Sequence, residues 1–214
     1  MRSDTLAGKR GAGRAGLGGI LAANGATMLL ALWQGWPLAH LMWPFWIQSM
    51  IIGWFARKRI LALETYAEGG FLFDGRSPRL RPRTQREYAN LLVLQYGLVH
   101  VLYLGLMVAS LPAISARDWA LFALAGAGFW LGHRRSHQLN VKADTRIVHR
   151  IGTLVFLPYA RVVPMHLCIV LASGTAIAAS LPAVLAFTAL KTAADAFMHV
   201  YEHQLLQRGT PVHD

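Results

Sequence analysis

Long apolar stretches alternate with short polar ones along the chain, and these stretches exceed the length of an ordinary strand. Crossing the hydrocarbon core of a bilayer takes about 20 helical residues. The fourth of six candidate stretches reaches that length only if it continues through HRRSHQL. No alternating strand pattern recurs, so the sequence predicts an all-α bundle of six transmembrane helices. The predicted spans are 17–36, 38–57, 88–111, 118–132, 162–181 and 182–203.

Composition supports a membrane environment for these stretches. Hydrophobic residues make up 55% of the chain and charged residues 14%, and the mean hydropathy is +0.38. A soluble domain carries about 25% charged residues. We therefore expect one membrane domain over 17–206, with loops at about 58–87 and 133–161, between a mobile basic tail over 1–16 and a C-terminal tail over 207–214.

Positive charge predicts the orientation of the spans. The chain has 21 Lys and Arg residues, and all but Arg117 and Lys191 fall in the two tails, in the two long loops or at their borders. By the positive-inside rule both termini are cytoplasmic. The basic loops adjoin spans and lack interleaved aromatic residues. Anionic lipid headgroups are therefore the expected partner, and nucleic acid is not.

The sixth stretch carries an unusual set of ionisable residues, in KTAADAFMHVYEH. Intervals of three or four residues separate most of its ionisable groups, which therefore fall on one helical face: Lys191, Asp195, His199, Glu202 and His203. Ionisable groups at membrane depth are costly, so this face is expected to point into the bundle and to meet partners there.

Other segments offer polar partners for this face. His100 lies near the middle of the third span, with Tyr96 and Tyr103 on the same side, and His166 lies near the start of the fifth. Asn24 and Gln48 are the candidates on the first and second spans. We expect all these groups to gather in the cytoplasmic half of the membrane.

Four blocks of the sequence carry a family resemblance. FWIQSMIIGWFARKRI, QYGLVHVLYLG, VPMHLCIV and LKTAADAFMHVYEH resemble the recurring blocks of a bacterial multi-pass membrane family that is known only as a domain of unknown function. The resemblance extends from about residue 20 to residue 203. It implies a multi-pass topology in the inner membrane of a bacterium and no particular activity. That family typically has an acidic residue where this chain has Gln48 and a histidine where it has Gln95.

A bound transition metal is the first functional hypothesis. The only cysteine, Cys168, offers no metal knuckle, so any site has to use histidine and carboxylate. His100, His166, Asp195 and His199 form a ligand set suited to zinc. With one coordination position open to water, such a centre could hydrolyse a lipid-like substrate. The candidate bases are Glu202 and His203.

Three alternatives remain open at this point. The line Lys191, Asp195, His199 and His203 resembles the relay of a proton- or ion-coupled transporter. A bis-His haem could bind through His100 with His166 or His199. Finally, Lys191 and Asp195 could form a buried ion pair in a purely structural polar network. The sequence does not predict the oligomeric state.

Overall fold

A computed structural model describes most of the chain. Its backbone is described for residues 2–68, 84–110, 113–144, 147–172, 181–207 and 210–211. Side chains are described for residues 17–68, 84–109, 113–142, 144, 148–163, 181–201 and 204. Every statement below refers to these residues.

The architecture is all-helical, as predicted, with six α-helices and three very short strands in the described residues. In chain order the elements are α1 (Arg2–Gln34), α2 (Leu38–Leu61), β1 (Tyr66–Ala67), α3 (Gln85–Ser110), α4 (Ala116–Asp144), β2 (Ile147–Arg150), α5 (Ile151–Ala172), α6 (Leu181–Gln207) and β3 (Thr210–Pro211). Two of the three strands contain only two residues, and a strand this short cannot be recognised from an alternation of polar and apolar positions.

Local signals explain several of the helix ends. After α1, Gly35 adopts a left-handed conformation with φ of 65°, and the amide of Trp36 donates to the carbonyl of Ala31 at 2.9 Å. This is a Schellman end, which favours glycine. Before α3, Thr84 and Glu87 form a reciprocal capping box, in which the Thr84 amide donates to the Glu87 carboxylate at 2.6 Å.

The start of α4 is held by a polar cluster around Asp118. The Ser115 hydroxyl accepts from the Asp118 amide at 3.1 Å and donates to its carboxylate at 2.7 Å. The Trp36 indole donates to the other carboxylate oxygen at 2.7 Å, which ties the turn between α1 and α2 to α4.

Helix α2 lies at the centre of the bundle and packs against α3, α4 and α5. Helix α1 packs along α6 and α4, and α5 packs against both α3 and α6. One hydrophobic cluster joins the first halves of α2 and α6, through residues such as Phe45 and Phe187. A second joins their later parts, through residues such as Ile60 and Met198. Helices α2 and α6 therefore run in the same direction.

Helices α2 and α3 approach closely at Gly53. A Cβ atom at this position would lie 2.6 Å from the Tyr96 ring, so only glycine leaves room for it. The Tyr96 hydroxyl then donates to the carbonyl of Ser49 at 2.9 Å. The glycine thus allows a buried tyrosine to bond α3 to the α2 backbone.

Three of the helices are long and apolar enough to cross a membrane, among the residues described. The qualifying segments are Leu17–Gln34 in α1, Gln85–Ala109 in α3 and Leu181–Tyr201 in α6. Large apolar side chains such as Leu94, Val101 and Val108 are exposed along α3, as expected of a face in contact with lipid. The prediction of six spans is therefore supported for three of the six helices.

The helix bounds differ from the sequence prediction around residues 133–161, which was expected to be a loop. Helix α4 continues through HRRSHQL to Asp144, and α5 already begins at Ile151. The reason is hydrophobic burial, because Ile151, Val155 and Leu157 pack in the second cluster and so extend the helix towards its N-terminus. Helix α1 likewise begins at Arg2, well before the predicted span. The mobility of residues 1–16 stays a prediction.

A small sheet brings three distant segments together. Strand β2 pairs in parallel with β1, with Tyr66 opposite His149, and antiparallel with β3, with Val148 opposite Thr210. The segment after α6 is thereby bonded to the segment before α5 and, through it, to the segment after α2.

Candidate functional site

The centre of the candidate site is an ion pair on α6. Lys191 Nζ lies 2.5 Å from Asp195 Oδ2, and both side chains are buried. Their spacing of four residues places them one turn apart on the same helical face. The predicted orientation of this face is confirmed, because Lys191, Asp195 and His199 are buried while Phe197 and Val200 on the opposite side are exposed.

Helix α1 completes the network through Asn24, which is fully buried. Its amide nitrogen donates to Asp195 Oδ2 at 2.9 Å. One carboxylate oxygen therefore accepts from both an ammonium and an amide group. We refer to Asn24, Lys191 and Asp195 as the α6 network. It bonds α1 to α6 through charge-assisted hydrogen bonds.

Helix α2 approaches the same centre through an aromatic ring. Lys191 Nζ lies 5.4 Å from the centroid of the Phe45 ring, within the range of a cation–π contact. The ammonium group thus has two partners, the carboxylate of Asp195 and the ring of Phe45. A lysine side chain is flexible, so it can move between such partners.

Two amide oxygens in this part of the bundle accept no hydrogen bond from any described residue. They are Asn24 Oδ1 and Gln48 Oε1, and both are buried. The prediction that Asn24 and Gln48 are buried polar residues is therefore confirmed. Buried polar atoms of this kind are uncommon and call for a partner of their own.

His100 on α3 lies in an aromatic setting. Its ring stacks on Tyr96 with centroids 4.1 Å apart and meets Tyr103 edge-on at 6.3 Å. Its Nδ1 lies 2.8 Å from the Tyr96 carbonyl, and the Trp46 indole donates to the His100 carbonyl at 3.1 Å. The expected neighbours Tyr96 and Tyr103 are thus confirmed.

The structure bears on only part of the predicted zinc site. His100, Asp195 and His199 are all buried, yet no three His, Cys, Asp or Glu residues group around a possible metal position in the part of the chain that is described. Helix α5 carries His166, but the side chain of His166 lies outside the described residues, as do those of the candidate bases Glu202 and His203. The complete four-ligand set stays a prediction.

A second ionic network, which the sequence did not predict, lies where α2 and α4 end. Arg59 contacts both oxygens of Asp144, through Nε at 2.7 Å and Nη2 at 2.8 Å. His149 Nε2 of β2 lies 2.8 Å from Asp144 Oδ1. All three side chains are buried. We refer to Arg59, Asp144 and His149 as the α4 network.

Opposing effects act on the ionisation of Asp144. Burial alone would raise its pKa, but the hydrogen bonds and the charges of Arg59 and His149 outweigh burial and hold the pKa below its ordinary value. One signal for this network exists in the sequence, because Asp144 is the single acid within 133–161, a stretch otherwise rich in Arg, Lys and His. A lone acid among so many cations is a candidate for a buried partner.

Residues 7–211 match the model of a family described as a family of unknown function (DUF6498). No curated protein and no solved structure shows significant similarity to the chain. The match covers nearly the whole chain, including both ionic networks, and it assigns no activity to either.

Proposed function

The chain belongs to DUF6498, and we propose from its own residues that it is a six-span protein of the bacterial inner membrane that couples transport to cation exchange at Asp195. The observation that carries the proposal is the buried Lys191–Asp195 ion pair on a helix apolar enough to span a bilayer. Ionisable residues at membrane depth are rare, and by default they mark ion pathways or relays.

The topology of the proposal rests on helix length and charge. Helices α2, α4 and α5 contain 24, 29 and 22 residues, which is enough to cross a bilayer beside the three apolar spans. With six spans, the basic residues collect on one side apart from Arg117, Lys191 and Arg161, which lies midway along α5, and both termini are cytoplasmic. Lys58 lies over the Trp54 ring at 5.8 Å, a pairing suited to an interface with anionic headgroups.

The chemistry follows from the composition of the α6 network. Asp195 is its only acid, and the ammonium of Lys191 balances the single negative charge. A transported cation can bind the carboxylate in place of the ammonium, which then rests against Phe45. The carboxylate therefore keeps a cationic partner whether the transported ion is bound or released, and it is never left bare in a poorly solvating interior.

A structural role alone explains this pair less well. Replacing a buried ion pair by apolar residues of similar size is often neutral or stabilising, so stability by itself gives little reason to keep one. A transport role gives such a reason, because a carboxylate at membrane depth can bind a cation and release it.

Reconstituted vesicles test the proposal. We expect purified wild-type protein to carry cations across the vesicle membrane when a pH or cation gradient is applied. We expect Asp195→Asn to reduce this cation flux to the level of empty vesicles. The amide is close in size to the carboxylate but has no charge to exchange. Asp118→Asn is the matched control, since Asp118 lies at the start of α4 and bonds Trp36 and Ser115. Equal flux in wild type and Asp195→Asn would refute the transport role.

Zinc binding is the second candidate, and one packing observation favours it. Helix α5, which carries His166, packs against both the helix with His100 and the helix with His199. A metal bound by these histidines and Asp195 would require Lys191 to leave the carboxylate. Elemental analysis of tag-free protein tests the hypothesis, with one zinc per chain expected in wild type and none in His199→Ala. Glu202 or His203 would then be candidate bases for hydrolysis of a lipid-like substrate.

A further inference from the structure

We propose that the cation exchanged at Asp195 is sodium, and that the amide oxygens of Asn24 and Gln48 bind it together with the carboxylate. This inference rests on the proposed function and adds the identity of the ion and two further ligands. Its basis is the pair of buried amide oxygens that accept no hydrogen bond from any described residue.

The orientation of Asn24 follows from its contact with Asp195. An ionised carboxylate can only accept hydrogen bonds, so the amide nitrogen has to face it, as the distance of 2.9 Å indicates. The oxygen Oδ1 is the other terminal atom of the same amide group. It therefore lies beside the carboxylate, in a side chain with 0% exposure. Leaving such an oxygen without a partner costs free energy, which a bound ion or water recovers.

The position of Gln48 follows from helix geometry. Gln48 lies three residues after Phe45 on α2, so the two side chains share a face about one turn apart. Phe45 is level with Lys191, and Asp195 lies one turn further along α6. Because α2 and α6 run in the same direction, Gln48 is placed at the level of Asp195. Its side chain is 5% exposed.

The chemistry of these ligands selects the kind of ion. Carboxylate and amide oxygens suit hard cations, whereas zinc in proteins favours imidazole and thiolate. One carboxylate supplies one negative charge, which matches a monovalent cation. Sodium and the ammonium of Lys191 carry the same charge, so the ion can take the place of the ammonium as the partner of the carboxylate.

Thermal melting of the purified protein in detergent tests the site. The probes are sodium, potassium and choline chlorides at equal ionic strength. A ligand that binds only the folded state raises the melting temperature with its concentration. We expect sodium to do so for wild type and to lose this effect in Gln48→Leu, which removes the oxygen. Gln95→Leu is the matched control, because Gln95 is an exposed glutamine on α3 and should keep the response.

Each other result of the melting experiment overturns the inference. Three results would refute the sodium site: an equal rise in melting temperature with all three salts, no rise in wild type, or an unchanged rise in Gln48→Leu. The amide oxygens would then be partners of buried water. If Gln48→Leu yields no folded protein, Gln48→Glu decides instead. A second carboxylate should lower the sodium concentration needed for half of the shift, and an unchanged concentration counts against the proposal.

Flux measurements separate this inference from the proposed function. Flux that depends on Asp195 but responds only to the pH gradient, together with sodium-independent melting, would leave transport standing and refute the sodium site. Sodium-dependent melting that requires Gln48, without flux in any gradient, would leave the site standing and refute transport.

Discussion

The two buried ionic networks use similar groups in different ways. In the α4 network, Arg59 holds both oxygens of Asp144, and His149 provides a third contact. In the α6 network, Lys191 and Asn24 both contact the same oxygen of Asp195. The arginine pair is bidentate and rigid, whereas the lysine is a point charge on a flexible stem. The first arrangement holds helices in place, and the second leaves a carboxylate that can change partners.

The surroundings of the networks strengthen this contrast. The α6 network lies on a helix that can span a membrane and near amide oxygens that lack a described donor. The α4 network lies where α2 and α4 end and where β2 begins its sheet. In the proposed function the α6 network handles ions, whereas the α4 network at the helix ends attaches neighbouring segments to each other.

Removal of one charged partner should produce the largest effects. We expect Arg59→Met and Lys191→Met each to lower the free energy of unfolding by about 3–5 kcal/mol, because each leaves a buried carboxylate without its cation. Chemical denaturation in detergent measures the loss. Lys142→Met, at an exposed lysine of α4, is the control and should change stability by about 0.5 kcal/mol or less.

Replacement of whole pairs then separates the two roles. Arg59→Met with Asp144→Leu and Lys191→Met with Asp195→Leu should each recover most of the lost stability. Flux should return only for the first pair. Recovery of flux in the second pair would show that the α6 network is structural too, and would remove the contrast between the networks.

A packing change between the networks should have an intermediate effect. Gly53 lies on α2 between Gln48 and Arg59, and a methyl group there would displace the Tyr96 ring. We expect Gly53→Ala to cost about 1–3 kcal/mol of unfolding free energy, through overpacking and loss of the bond from Tyr96 to Ser49.

Gly97→Ala on α3 is the control for this substitution, because no described side chain or neighbouring helix lies within 4 Å of an added methyl group. Alanine favours a helix over glycine, so this control should leave the protein unchanged or slightly more stable. Equal losses in the two variants would mean that α2 and α3 are not in close contact at Gly53.

Acid should have the smallest effect and should weaken the α4 network specifically. The folded-state pKa of Asp144 lies below its unfolded value of about 3.9. Its contribution to stability is therefore complete above that value and is lost as the pH falls through the folded-state pKa. Melting temperature measured from pH 6 downward should fall less steeply below about pH 4 in Asp144→Asn than in wild type. Parallel curves would contradict the assignment.

The sequence predicted what depends on local spacing. Six helices follow from the length of the apolar stretches, and the buried face of α6 follows from a period of 3.6 residues. The Lys191–Asp195 pair is one of the alternatives that this spacing left open. The burial of Asn24 and Gln48 follows from the cost of polar groups in apolar helices. These features need no information about which helices are neighbours.

Contacts between distant segments were beyond such reasoning. Asn24 and Asp195 are 171 residues apart, and Arg59 and Asp144 are 85 apart. Arg59 also lies in the basic stretch ARKR, and the positive-inside rule does not distinguish one basic residue of that stretch from another. Only the packing of α2 beside α4 distinguishes the buried arginine from its neighbours.

The small sheet has a consequence for biogenesis. Strand β1 leaves the ribosome early, β2 after α4, and β3 only after α6 has been synthesised. The three strands therefore cannot all pair until α1 to α6 have been made. Pairing of Thr210 with Val148 would be a late event of maturation, and a chain that stops before β3 would lack this pairing.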